Sequence, residues 1–292
     1  MLKDITLGQY YRTDSVIHRM DARTKIVGTV LYMVSLFVFN NLICYAIAAI
    51  YLITVMALSK IPPKFMFRGM RSILFLLVFS VIYNIFLSMG TVIVKFWVFT
   101  VTYEGIVNAF YMLLRLLMLL IGSSLMTLTT TPNQLTDGLE SLFKPLKLFR
   151  VPVHEMAMMM SIALRFIPIL MEETDRIMKA QIARGADLES RKISKRVKSL
   201  IPILVPLFVP AFRRAGDLAL AMEARCYHGG EGRTRMKETV IAGRDIIAWI
   251  VIAIYIGAVV YTGITFKGFT DYLVAELQTG LEFVIAYVKG IG

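Results

Sequence analysis

No charged residue occurs between Ile26 and Ser59. A helix crossing a bilayer needs about 20 mostly apolar residues, so this run is too long for one ordinary span. Asn40-Asn41, near its middle, is a turn signal, and the run reads as a helical hairpin. Three further runs have spanning length. Ser72 to Val94 is uncharged, Gly105 to Leu128 is interrupted only by Arg115, and Ile246 to Phe266 is clean. Between the third and fourth spans, "TVIVKFWVFTVTYEG" alternates β-branched and aromatic residues and predicts a short extended excursion. A chain that is 57% hydrophobic with a mean hydropathy of +0.68 is too apolar for an ordinary soluble domain. The expected fold class is an all-α membrane protein with about five transmembrane helices and a helical coupling domain.

Charge orients the spans. Lys3, Arg12, Arg19, Arg23 and Lys25 precede the first, and Lys60, Lys64, Arg68 and Arg71 separate the second from the third. The positive-inside rule places both groups in the cytoplasm, which requires the hairpin. The segment from Thr129 to Arg244 is rich in basic residues yet carries much apolar sequence, and it is expected to be helical and cytoplasmic. One or two extra spans within it would preserve the direction of the last. Asn133 is expected to cap a short helix, Pro152 to start a long one running towards Arg184, and another to run from about Ser194 to Arg225. The expected organisation is a four-span domain over 1–128, a coupling domain over 129–244, and a final span with tail over 245–292. The tail after Lys267 is amphipathic and mildly acidic, and is expected outside. "MLKDITLGQYYRTDS" lacks an apolar core followed by a cleavage site, so no cleaved signal peptide is expected.

Recognisable catalytic patterns are absent from the sequence. There is no GxxxxGK[ST], and "HGGEGRT" at His228–Thr234 lacks the lysine that reaches a phosphate, so any ATP is expected on another chain. His154-Glu155 has no second histidine at zinc-helix spacing, and no metal ligands are expected. The net charge of +12 admits nucleic acid, anionic lipid or an acidic protein as partner. No nucleic-acid motif is present, and topology accounts for the basic residues. Cys44 and Cys226 are expected as free thiols. Arg115, roughly 16 Å along its helix from Glu104, is read as paired with a carbonyl or polar neighbour, or else as contacting a membrane partner.

"AQIARGADL" at Ala180–Leu188 and "AMEARCYHG" at Ala221–Gly229 share Ala-x-x-Ala-Arg. Alanines at i and i+3 keep one helix face narrow. An arginine in the last turn suits the helix dipole and can grip a carboxylate with two hydrogen bonds. Each ending is either a slim cationic plug for an acidic groove or a plain helix terminus with a dipole-compensating arginine. "ARGAD" at Ala183–Asp187 and "AMEARCYHGGEGRT" at Ala221–Thr234 resemble the paired Ala-Arg-Gly motifs of the T component of energy-coupling factor transporters. "GQYYRTDSVIHRMDARTKI" at Gly8–Ile26 and "LTTTP" at Leu128–Pro132 resemble the same family.

The resemblance implies a non-catalytic scaffold with cytoplasmic coupling helices, two ABC-type ATPase partners and a small substrate-binding membrane subunit. It implies no cofactor in this chain, with ATP and Mg on the partner ATPases. It implies ATPase docking through Ala183, Arg184, Gly185 and through Ala224, Arg225, Cys226. Cys226 departs from the family's glycine, so the second helix stop is expected to shift to Gly229-Gly230. Leu204, Leu207, Phe208 and Phe212 are expected to contact the substrate-binding subunit. Pro202, Pro206 and Pro210 are expected to weaken their helix. Met156, Met158, Met159 and Met160 are read as an adaptable surface or as core. The function expected is uptake of a vitamin or other micronutrient across the cell membrane, with membrane lipid around the spans. The competing readings are a membrane-embedded enzyme acting on lipid or peptide near His154, Glu155 and Arg165, and a membrane receptor or scaffold whose basic domain binds anionic lipid or nucleic acid.

Overall fold

The computed structural model describes residues 10–39, 41–70, 73–87, 92–96, 99–186, 193–230 and 242–265. The chain divides into two compact units, one containing Pro132–Glu238, the other containing Tyr10–Thr131 and Thr239–Gly292. The tail after Lys267 lies outside the described residues.

The second of these units carries the expected hairpin, α1 (Ala22–Val38) and α2 (Leu42–Ser59), then α3 (Pro63–Met70) and α4 (Leu74–Leu87). Strands β1 (Val92–Phe96) and β2 (Phe99–Thr102) form the expected excursion, an antiparallel pair inserted into an otherwise helical unit. α5 (Tyr103–Thr129) and α9 (Gly243–Thr265) complete it. Both α1 and α2 pack on α5 and α9, so the four helices surround one seam. Tyr32, Leu36, Tyr45, Leu52, Met118 and Tyr255 form the core of that seam. The outer faces are apolar and open, with Ile50, Phe75, Phe79, Ile254 and Tyr261 all exposed, as lipid-facing surfaces require. By length and composition, four of the described helices can cross a membrane: α2, most of α5, the later helix Val153–Ala183, and α9. α4 is apolar but shorter, and α1 has 17 residues, about 25 Å of helix. The chain is a multi-pass, all-α membrane protein.

The first helix starts earlier than the uncharged run suggests. Asp21 caps it, its side chain accepting from Arg23 N at 3.0 Å. Lys25 can then lie inside the bundle because its ammonium donates to His18 O (3.2 Å) and Thr129 O (2.9 Å). Buried Asp245 holds the same corner, accepting from Asp21 N at 2.8 Å and from Ala242 N at 3.0 Å. His18 bridges Ser15 Oγ (2.7 Å) and Tyr11 O (3.0 Å), and Tyr11 N donates to Leu128 O. The stretches Tyr11–Lys25 and Leu128–Thr129 therefore meet, and their polar groups, with Asp245, tie the ends of α1, α5 and α9 together. Arg115 finds a polar neighbour, donating to Tyr45 Oη at 2.8 Å while its guanidinium lies over Phe37.

The other unit contains α6 (Pro132–Leu142), a 3-10 turn (Lys144–Phe149), α7 (Val153–Ala183) and α8 (Ile193–Glu223). α6 opens on Pro132, whose missing N–H and fixed φ suit the first helical position, so Asn133 lies inside the first turn instead of capping it. α7 and α8 run antiparallel. Glu173 pairs with Arg214 at 2.7 Å, and Gln181 Nε2 donates to Pro202 O at 3.3 Å. The second contact bears on the prolines. Pro206 has no N–H to give the carbonyl of Pro202, and the Gln181 amide supplies the missing donor. α8 stays helical through all three prolines. Near the start of α7, His154 pairs with Glu140 at 3.1 Å, and a Cβ at Gly230 would overlap its ring.

Candidate partner-docking termini

α7 and α8 end in the same way, atom for atom in the backbone. After α7, Gly185 N donates to Ile182 O (2.9 Å) and Ala186 N to Gln181 O (3.0 Å). After α8, Cys226 N donates to Glu223 O (2.8 Å) and Tyr227 N to Met222 O (3.0 Å). Each is a Schellman cap, in which the residue beyond the helix turns left-handed and two amides reach back to the last carbonyls. Gly185 has φ +86° and Cys226 has φ +55°. The second stop therefore does not move to Gly229-Gly230. Cys226 takes the left-handed position itself, and Gly229 (φ +106°) belongs to the following turn.

The equivalence fixes the arginines. Arg184 and Arg225 each stand directly before the left-handed residue, Ala183 and Ala224 precede them, and Ala180 and Ala221 lie one turn earlier, although regular helix ends at Ala183 in α7 and at Glu223 in α8. Ala183, Arg184, Gly185, Ala224, Arg225 and Cys226 are all exposed. Each tip combines a narrow alanine face, a guanidinium and a tightly closed backbone. A guanidinium held there can take a carboxylate through two parallel hydrogen bonds.

The antiparallel pairing sets the tips apart. Gln181, beside the first tip, touches Pro202, and Arg225 lies 23 residues further along α8. At 1.5 Å per residue Arg225 lies about 35 Å along α8 from that contact, so the two arginines stand at opposite ends of one helix pair.

Of the predicted α8 contact residues, Leu204, Phe208 and Phe212 are exposed, the last at 73%. Phe208 and Phe212 stack with ring centroids 6.2 Å apart. Leu207 differs. It is half-buried and shares the row of buried Ile203 and of Arg214, which faces α7. Ile201, Val205 and Val209 are also exposed and extend the open face. Their signal was present in the four-residue apolar spacing, but which row turned inward depended on α7. Met156, Met159 and Met160 are exposed, so the methionines form surface more than core.

His154 and Arg165 stand eleven residues apart on α7, about 16 Å, and His154 is held by Glu140. Among the described residues no group of three or more His, Cys, Asp or Glu gathers as a metal site.

Comparison with known proteins decides the family. Residues 13–236 match CbiQ, a family described as cobalt transport protein. The chain belongs to this family. Among relatives, the energy-coupling factor transporter transmembrane protein EcfT of Thermosediminibacter oceani is 52% identical over 249 residues, covering 85% of this chain and 94% of that protein. EcfT of Clostridium kluyveri is 50% identical over 250 residues (85% and 93%), and EcfT of Bacillus subtilis 44% over 257 residues (87% and 97%). The chain is thus a transmembrane component of an energy-coupling factor transporter, and its relatives are transporter subunits. The matched region ends before the described part of α9, so family membership rests on α1 to α8 and both arginine tips.

Proposed function

We propose that this protein is the coupling subunit of an ATP-driven importer, with each arginine tip seated on one of two ABC-type ATPases. The observation that carries the reading is the pair of exposed arginines in matching backbone caps, at opposite ends of the α7–α8 pair. One tip reaches only one socket. Two tips of the same backbone geometry suit two similar subunits, each offering a carboxylate.

In this mechanism ATP and Mg sit on the partners, which close on nucleotide binding and carry the tips with them. The rigid caps transmit that displacement to α7 and α8. Glu173–Arg214 and Gln181–Pro202 hold the two helices as one lever. The exposed row of Leu204, Phe208 and Phe212 then moves against a small substrate-binding membrane subunit, whose cargo is a vitamin or other micronutrient. α7, though long and apolar enough to span, belongs in this reading to the cytoplasmic coupling domain with α6 and α8. The spans stand in the cell membrane with their basic ends inward.

Co-purification of the tagged chain with its ATPases tests the docking. Arg184→Ala and Arg225→Ala are each expected to weaken recovery of ATPase, and the double change to abolish it along with uptake. Normal assembly and transport by the double variant would overturn the proposal.

A further inference from the structure

We propose that the four-helix seam binds one acyl chain of an anionic membrane lipid, with Arg244 holding the headgroup phosphate. A cavity of about 220 Å³ lies between α1, α2, α5 and α9, in the half of the bundle nearest the basic turn at Val16–Met20. Tyr32, Leu52, Gly122, Leu125 and Ile252 line its interior.

Glycines in the cavity wall let side chains of neighbouring helices pack closely. A Cβ on Gly28 would stand 2.9 Å from Ile252 Cδ1, and one on Gly122 would stand 2.8 Å from Tyr32 Cε1. The cavity is open at the side. α2 and α9 meet in their outer halves, where Tyr51 stacks on Tyr255 at 4.4 Å and Cys44 lies 3.4 Å from Thr262 Oγ1. Towards the basic end, Thr54 and Leu58 on α2 and Ile247 and Val251 on α9 line the cavity yet are exposed. The gap between them faces the same apolar belt as Ile50 and Ile254, so in a bilayer it opens into lipid.

Size and charge choose the occupant. A helix is about 10 Å across and does not fit. A dry apolar cavity of about 150 Å³ accepts benzene, so this one accepts a length of single alkyl chain. The charged lining lies at the basic end, with the hydroxyl-bearing rings of Tyr32 and Tyr51 further in. At the basic end Lys25 is committed to two backbone carbonyls, and Asp245 to two backbone amides. Arg244 also lines the cavity, is exposed, and makes no side-chain hydrogen bond or ion pair among the described residues. An exposed guanidinium at the mouth of a hydrocarbon slot, with no side-chain partner among the described residues, matches a phosphate joined to an alkyl chain.

Native mass spectrometry of the full chain, incubated with phosphatidylglycerol or phosphatidylcholine, tests this. Wild type is expected to retain one phosphatidylglycerol at a lipid concentration at least about fivefold lower than phosphatidylcholine, the factor that one basic residue near a membrane surface contributes. Arg244→Gln, which removes no bond within the described residues, should erase that preference. Val251→Trp should block retention of both lipids, with an unchanged melting profile confirming its fold. Inorganic phosphate should not displace the lipid. Equal retention of the two lipids by wild type, a preference unchanged in Arg244→Gln, or displacement by inorganic phosphate would each overturn the proposal. So would a Val251→Cys variant that cross-links to a co-purified membrane subunit in place of lipid.

Discussion

Exchanging the residues at the two left-handed positions should change stability in opposite directions. Gly185 (φ +86°) and Cys226 (φ +55°) hold equivalent places in two equivalent caps. A side chain in this region costs about 1–2 kcal/mol through its Cβ. Glycine costs about 0.5–1 kcal/mol in the freedom it loses on folding. The difference leaves Cys226→Gly more stable by about 0.5–1 kcal/mol and Gly185→Ala less stable by the same amount. Packing does not alter the result at the first site, because a Cβ on Gly185 would meet nothing within 4 Å. A local change of this size alters amide exchange about twofold to fivefold. Hydrogen exchange read by mass spectrometry should slow at Cys226 and Tyr227 in Cys226→Gly, and quicken at Gly185 and Ala186 in Gly185→Ala. Faster exchange in Cys226→Gly would refute the left-handed cap as the constraint on the second tip. Because neither change touches an arginine, docking should survive both.

Gln181→Leu should expose the Pro202 carbonyl and cost about 1 kcal/mol, seen as a broader spin-label distance distribution between α7 and α8; an unchanged distribution would mean the amide does not brace the proline stretch. Tyr45→Phe keeps the ring against Tyr111 but removes the hydroxyl facing Arg115, and should cost about 1–3 kcal/mol in thermal melts; no change would show that Arg115's other partners suffice. Burial holds the His18 imidazole below its ordinary pKa, with the Tyr11 carbonyl opposing and the Lys25 charge adding to the shift. Below pH of about 6.5 the unfolded chain therefore binds a proton that the folded one refuses, so stability is full above that pH and falls on acidification. Denaturation followed from pH 7.5 to 5 should show this slope in wild type and a shallower one in His18→Gln.

The membrane character and the helical hairpin were legible at once, because hydrocarbon excludes charge and the uncharged runs mark what can enter it. The β excursion between Leu87 and Tyr103 was legible from its two-residue alternation. The paired endings were legible too, since Ala-x-x-Ala-Arg places an arginine on a helix end wherever the helix stops. Residue types alone misplaced features that depend on a distant partner. Lys25 looked like a boundary, but carbonyls of His18 and Thr129 let α1 start before it. Leu207 matched its apolar neighbours in kind and turned inward only because α7 lies along that row. Three prolines predicted weakness in α8, and Gln181 on another helix restores one of the lost bonds.

The sequence by itself determined that the chain crosses a bilayer several times and ends two helices on arginine, since both follow from local composition and spacing. Only the tertiary structure decided that Cys226 adopts the glycine geometry, that the two tips point from opposite ends of one helix pair, and that four helices leave a slot beside Arg244. Those outcomes depend on antiparallel packing and on where helix backbones approach or part, which no single stretch of chain encodes.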